Sequence, residues 1–179
     1  APALAAGNTV VIKPSEFTST SIAPFLELVR EAGFPPGVVN AVTGNGPDVG
    51  AALVEHPLVR AVAFTGGEVA GMAIAETAGR RLIPLTLELG GKSANIVFED
   101  ADIARAVNGI VGGIFAATGQ TCVAGSRLLV HRSIAQEVIE KVVALARSAR
   151  IGDPMEAATQ VGPVTTEAQM GKILRHIED

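Results

Sequence analysis

One cysteine in 179 residues excludes an internal disulfide framework and any cysteine-rich metal site, and leaves a single thiol to be judged by its surroundings. Basic residues are also few. With 14 Lys and Arg against 18 Asp and Glu the formal charge is −4, so there is no basic stripe and none of the long-range field that nucleic acid or anionic lipid would need. Nor is there an apolar run of membrane-spanning length, since the richest stretch, Ala106 to Ala117, is short, glycine-rich and interrupted by Asn108. The first residues, Ala-Pro-Ala-Leu-Ala-Ala-Gly, have no basic start followed by a long apolar segment, so they do not read as a secretory signal, and a cytoplasmic location is the default expectation. His56, His131 and His176 show no metal-ligand spacing, and no metal site is assigned. Internal repeats, linker runs and low-complexity tracts are absent.

What is present is a core-forming chain, 48% apolar, long enough for one domain or two small ones. Thr9 to Ile12 forms a β-branched run. Ile22, Phe25, Leu26 and Val29 then recur at helical spacing, until Gly33, Pro35 and Pro36 stop the pattern. An extended stretch at Val38–Val42, a turn at Gly44 and Gly46, a short helix near Val49–Glu55, a strand at Ala61–Phe64, and a helix through Ala70, Ala73, Ile74 and Ala78 complete a β-α-β-α-β-α order. Short apolar strands alternating with helices predict a parallel, Rossmann-like α/β sheet with helices on both faces, and ligands bound beyond the carboxyl ends of the strands.

After Arg80 and Arg81 the pattern becomes Leu82 to Leu89, then a Gly90-Gly91 bend, then a strand at Ala94–Phe98. A boundary near Gly91 is expected, with residues 1–91 as one partial domain and 92–179 as part of a second α/β domain. In the second, Asp100 or Asp102 caps a helix from Ile103 to about Phe115, a loop spans Gly119–Gly125, and Arg127–His131 forms a strand. Ser133 with Gln136 has capping-box spacing for the helix carrying Ile134, Val138, Val142 and Leu145. A last helix starts near Thr165 or Thr166 and is expected to continue through Asp179. With no initial methionine and an end inside a helix, the chain reads as a piece of a longer protein.

Four groups of residues can carry chemistry, and a fifth fails on spacing. Cys122 is flanked by glycines after a helix, which suits a reachable thiol as well as a small core hydrophobe. Glu88 ends an apolar strand at the bend; it fits a partly desolvated general base, or an outward residue paired with Lys92 or Arg81. Thr65-Gly66-Gly67 leads from a strand into a helix, where backbone N–H groups can receive a pyrophosphate, although a plain turn has the same composition and the G-x-G-x-x-G spacing is not met. Lys13 and Glu16 follow the first strand and suit a sugar hydroxyl or a solvated pair at the start of the next helix. Gly90-Gly91-Lys92-Ser93 fails as a P-loop, because Thr86 stands where the first glycine of that motif belongs.

Taken together and in order, Val11-Ile12-Lys13-Pro14-Ser15-Glu16, Pro35-Pro36-Gly37-Val38-Val39-Asn40, Ala63-Phe64-Thr65-Gly66, Leu87-Glu88-Leu89-Gly90-Gly91-Lys92-Ser93 and Gly119-Gln120-Thr121-Cys122-Val123-Ala124-Gly125-Ser126-Arg127 closely resemble the aldehyde dehydrogenase superfamily, nearly end to end. The resemblance implies NAD(P)-dependent oxidation of an aldehyde to an acid. Cys122 would be the nucleophile that passes through a thioester and Glu88 the base that activates water, both in one cleft between two lobes. It places Lys13 and Glu16 at the adenosine ribose, Gly46 near the adenine, Thr65, Gly66 and Gly67 at the pyrophosphate and nicotinamide side, and Leu89 and Gly90 beside the nicotinamide. A carboxylate facing the ribose would repel a 2′-phosphate, so Glu16 favours NAD over NADP.

Gly67 departs from the family, which usually has serine there. The family's oxyanion asparagine lies upstream of this chain and its ribose-binding glutamate downstream, so the piece is expected to be inactive alone, within a parent that works as a dimer or tetramer. Two alternatives stand beside this reading: a coenzyme-A-acylating member, against which Glu88 argues, and a non-catalytic homologue kept for binding or assembly.

Overall fold

A computed structural model describes residues 1–178, which fall into two compact units, Ala1–Leu89 and a second beginning at Gly90. In the first unit, a short helix α1 (Pro2–Ala5) precedes strand β1 (Val10–Ile12), helix α2 (Ile22–Glu31) and strand β2 (Val39–Ala41). Ile22, Leu26 and Val29 are the half-buried positions of α2, as the three-and-four spacing requires, while Phe25 stays exposed. Gly33 has a φ of 81°, a left-handed backbone that glycine adopts without strain just past the helix end. A π-helical turn at Gly46–Gly50 leads into α3 (Ala51–Glu55), then β3 (Val62–Thr65), α4 (Glu68–Arg81) and β4 (Leu85–Glu88).

All strand pairing is parallel: β1 with β2, Val10 opposite Val39, and β3 with β4, Val62 opposite Leu85. These are two separate ladders, with no strand-to-strand bonding between them among the described residues, rather than the one sheet expected. Burial differs from expectation too. Along β3 and β4 alternate residues are half-buried and exposed, so one face of each ladder is packed. Helix α4 lies against β3 and β4, and α2 against β2.

The second unit contains β5 (Ala94–Val97), α5 (Ile103–Phe115), β6 (Arg127–Val130), α6 (Ala135–Arg147) and α7 (Glu167–Glu178). Strands β5 and β6 are parallel, Ala94 opposite Arg127. Their inner face carries Val97, Leu128 and Val130, which meet Ile110 of α5 and the fully buried Val138 of α6 in the main core. Asp102 caps α5, its carboxylate accepting from the Arg105 N–H at 3.1 Å. The capping box at α6 does not form. Ser133 Oγ is engaged by His131 Nδ1 at 2.8 Å, Gln136 donates to Glu140 at 2.6 Å, and the helix starts one residue late, with Ile134 at the cap position. Thr166 Oγ1 accepts from the Gln169 N–H at 3.2 Å at the start of α7; a continuation through Asp179 lies outside the described residues.

Val138→Ala removes two buried methyl groups from the tightest point of this core, and should lower the unfolding free energy by about 2 kcal/mol. Asp102→Ala, which leaves the first turn of α5 uncapped, should cost about 1 kcal/mol. Urea-denaturation midpoints measure both.

Candidate active site

In the first unit the sequence-selected residues gather at the carboxyl ends of strands. Lys13 follows β1, and its Nζ is held by the carbonyls of Pro14 at 2.6 Å and Gly44 at 2.9 Å, with Glu16 Oε2 3.9 Å away. Lys13 is thereby fixed against the turn that follows β2, while the Glu16 carboxylate remains exposed. Gly46 opens the π-helical turn next to Asn45, whose side chain accepts from the Asp48 N–H.

Thr65 and Glu88 are register partners at the ends of β3 and β4, and the Gly66 N–H donates to the Glu88 carbonyl at 3.0 Å, extending the ladder by one bond. A Cβ at Gly66 would lie 2.5 Å from the tip of the Phe64 ring, so any side chain there would force the ring to move. Gly67 is the N-cap of α4 and supplies no side-chain cap, which leaves the first-turn N–H groups of a 14-residue helix without a side-chain partner. Leu89 packs against Gly71 of α4. Its Cδ2 would meet a Cβ on Gly71 at 2.8 Å, so it closes the gap between α4 and the end of β4. Glu88 is exposed, whereas its position at a strand end had suggested partial burial.

Cys122, in the second unit, sits in a turn closed by the Ala124 N–H donating to the Thr121 carbonyl at 3.0 Å. Cys122 and Val123 occupy the two central positions and both are exposed, Val123 to 72%, while Ala124 is buried. The alternative of a small core hydrophobe is thus set aside for this cysteine. Gly91 passes close by: a Cβ there would stand 3.9 Å from the Cys122 carbonyl oxygen.

Sequence reasoning missed the supports of this turn. Ala117 and Thr118 both have left-handed backbone, φ 48° and 57°, an arrangement that costs about 1–2 kcal/mol per residue for side chains other than glycine. The surroundings hold them there. Thr118 Oγ1 donates to the Gly162 carbonyl at 3.2 Å; Gln120 donates to the Ala117 carbonyl at 3.2 Å and accepts from the Thr165 N–H at 3.1 Å. Downstream, Asn95 Nδ2 donates to the Gly125 carbonyl at 3.0 Å. The available signal was Asn95 itself, a polar residue on the inward side of a strand whose next inward residue, Val97, belongs to the core.

The first unit thus carries a strand-end carboxylate and a helix N-terminus without a side-chain cap, and the second an exposed thiol, each on a parallel α/β framework. Comparison with known proteins is specific. The profile of the Aldehyde dehydrogenase family matches residues 1–179, and the chain belongs to that family. It is 49% identical over 177 residues to a chloroplastic betaine aldehyde dehydrogenase of Atriplex hortensis, and 47% identical over 178 residues to a hydroxyisobutyraldehyde dehydrogenase of Mycolicibacterium austroafricanum. Each match covers 99% of this chain and 35% of the relative, so the chain spans about a third of their length. Among solved structures, PnpE in complex with nicotinamide adenine dinucleotide superposes with a TM-score of 0.92 at 51% identity, over 99% of this chain and 36% of that one. An NAD+ complex of an aldehyde dehydrogenase from Bacillus cereus gives 0.93 at 45% identity, over 98% and 36%.

Ala117→Gly should relieve part of the left-handed strain and raise stability by about 0.5–1 kcal/mol, whereas Ala117→Val should lower it by more than about 1 kcal/mol. Thermal unfolding of the three proteins side by side tests the ordering, and equal stabilities would reject strain at this position.

Proposed function

We propose that this chain is part of an NAD-dependent aldehyde dehydrogenase that oxidises an aldehyde to a carboxylic acid through a thioester on Cys122, with residues 1–91 serving the cofactor and 92–179 the chemistry. The observation that carries this reading is the placement of the only thiol at the exposed centre of a braced turn, in a chain matched by the family profile throughout. Cys122, as thiolate, attacks the carbonyl carbon, and its own backbone N–H is one donor for the oxyanion that forms. NAD, when bound, supplies the hydride acceptor. Glu88 takes a proton from water, the water adds to the thioester carbon, and the acid leaves as the Cys122 sulfur is released.

The residues present fit the cofactor. Gly66, crowded by Phe64, and Gly67, with no capping side chain, let a pyrophosphate approach the open N–H groups of α4. Thr65 is beside them on the end of β3. Glu16, exposed and only loosely paired with Lys13 at 3.9 Å, can accept from a ribose hydroxyl while Lys13 is held by carbonyls, and this carboxylate disfavours a 2′-phosphate. Gly46 at the adenine and Leu89 with Gly90 at the nicotinamide complete the proposed set. Because Leu89 is packed on Gly71, its part is to shape the wall rather than to donate or accept a bond.

A small-molecule aldehyde is the proposed partner, and homo-oligomeric assembly and a cytoplasmic location belong to the same proposal. No helix among the described residues is long and apolar enough to cross a membrane, and the net charge of −4 disfavours polyanion binding.

In the complete protein, Cys122→Ser should abolish aldehyde-dependent NADH formation; activity near the parent level would reject the nucleophile. Glu88→Gln should permit a single burst of NADH and then stall at the acyl-enzyme, and unimpaired steady turnover would remove Glu88 from the role of base.

A further inference from the structure

The polar residue with the least local justification in the second unit is Asn95. It is half-buried on the inward side of β5, while its neighbours Ala94 and Ile96 are exposed, Ile96 to 63%. A strand of this pattern would ordinarily place an apolar side chain there, because an amide taken from water without a partner is costly. Asn95 has a partner: Nδ2 donates to the Gly125 carbonyl at 3.0 Å. The fit is tight from both sides. A Cβ on Gly125 would overlap Asn95 Nδ2 and lie 2.6 Å from its Cγ, so the whole amide rests on the Gly125 backbone.

The location of this bond matters. The β5–β6 ladder places Ala94 opposite Arg127 and Asn95 opposite Leu128, so Gly125 lies before the first paired residue of β6. Asn95 therefore reaches beyond the ladder and fixes a stretch of backbone that has no strand partner. That stretch leads directly from the cysteine turn: Ala124 is buried, its N–H closes the turn on Thr121, and the Ser126 N–H donates back to the Ala124 carbonyl at 2.9 Å.

We propose that Asn95 is a positioning residue for Cys122, setting the place of the thiol by clamping the Gly125 carbonyl three residues downstream. This rests on the reading of Cys122 as nucleophile. A displacement of about 1 Å at a reacting atom can cost on the order of a hundred-fold in rate, so a turn with two exposed central residues needs an anchor at each end. Gln120 braces the entry and Asn95 the exit.

The test uses the complete protein with Asn95→Ala and, from the opposite side, Gly125→Ala, which keeps the asparagine but forces its amide off the backbone. Two readouts are taken: the pre-steady-state NADH burst with NAD affinity, and hydrogen exchange at the Ala124 and Ser126 amides. Expected are a burst rate lower by about 10- to 100-fold with NAD affinity within about two-fold of the parent, and exchange of those amides faster by about ten-fold. A residue that only maintained the fold would weaken NAD binding and lower the melting temperature together with the rate. Burst rates within about two-fold of the parent in both variants, or unchanged exchange at Ala124 and Ser126, overturn the proposal. Should Asn95→Ala not fold, Asn95→Asp, which keeps the shape and replaces the donor with an oxygen, takes the same measurements. Should the parent itself form no NADH, the dehydrogenase reading fails, and exchange alone decides whether the clamp exists.

Discussion

Two parallel strands cannot be joined by a tight hairpin, so β4 can pair with β3 only after the chain has returned through a helix. That constraint organises the first unit. Helix α4 must start where β3 ends, which brings its N–H groups to the turn at Gly66 and Gly67, and β4 must run in the same direction, which delivers Glu88 opposite Thr65. The same geometry repeats at β1 and β2, where Lys13 and Gly44 meet after the strand ends. Glycines stand where side chains crowd the backbone: Gly66 against the Phe64 ring, and Gly71 against Leu89.

The second unit solves a different problem. The thiol proposed as nucleophile, Cys122, has to be exposed to meet a substrate, yet an exposed turn is free to move, and mobility would spread the sulfur over several positions. The described contacts confine it. Buried Ala124 ties one end of the turn to the interior, and side-chain amides hold the backbone on either side. The left-handed pair Ala117–Thr118 shows that the approach from α5 is strained, which the surrounding hydrogen bonds oppose.

Local patterns carried much of this. The period of Ile22, Leu26 and Val29 marked α2, Asp102 marked the start of α5, and the apolar runs marked the strands, because each depends on neighbours only a few residues away. Ser133 and Gln136 had the right spacing for a cap and did not make one. A closer partner, His131, took the serine, and spacing cannot record such competition. The glycine turn at residue 66 was legible as a turn, but the Phe64 ring that crowds it was not. Asn95 and Gln120 escaped notice for the same reason, their partners being 30 and 45 residues away.

The residues themselves therefore determined the α/β class, the order of elements, the family and the identity of the one thiol, since these follow from short-range periodicity and from motifs read in line. Tertiary structure alone decided which of those residues stand exposed, which are packed away and what holds them. Leu89 turned onto Gly71, Glu88 stayed in solvent, and Cys122 came to the surface of a braced turn. Burial and hydrogen-bond partnership depend on chain segments that meet only when the backbone has folded, and no pattern of neighbouring residues contains that information.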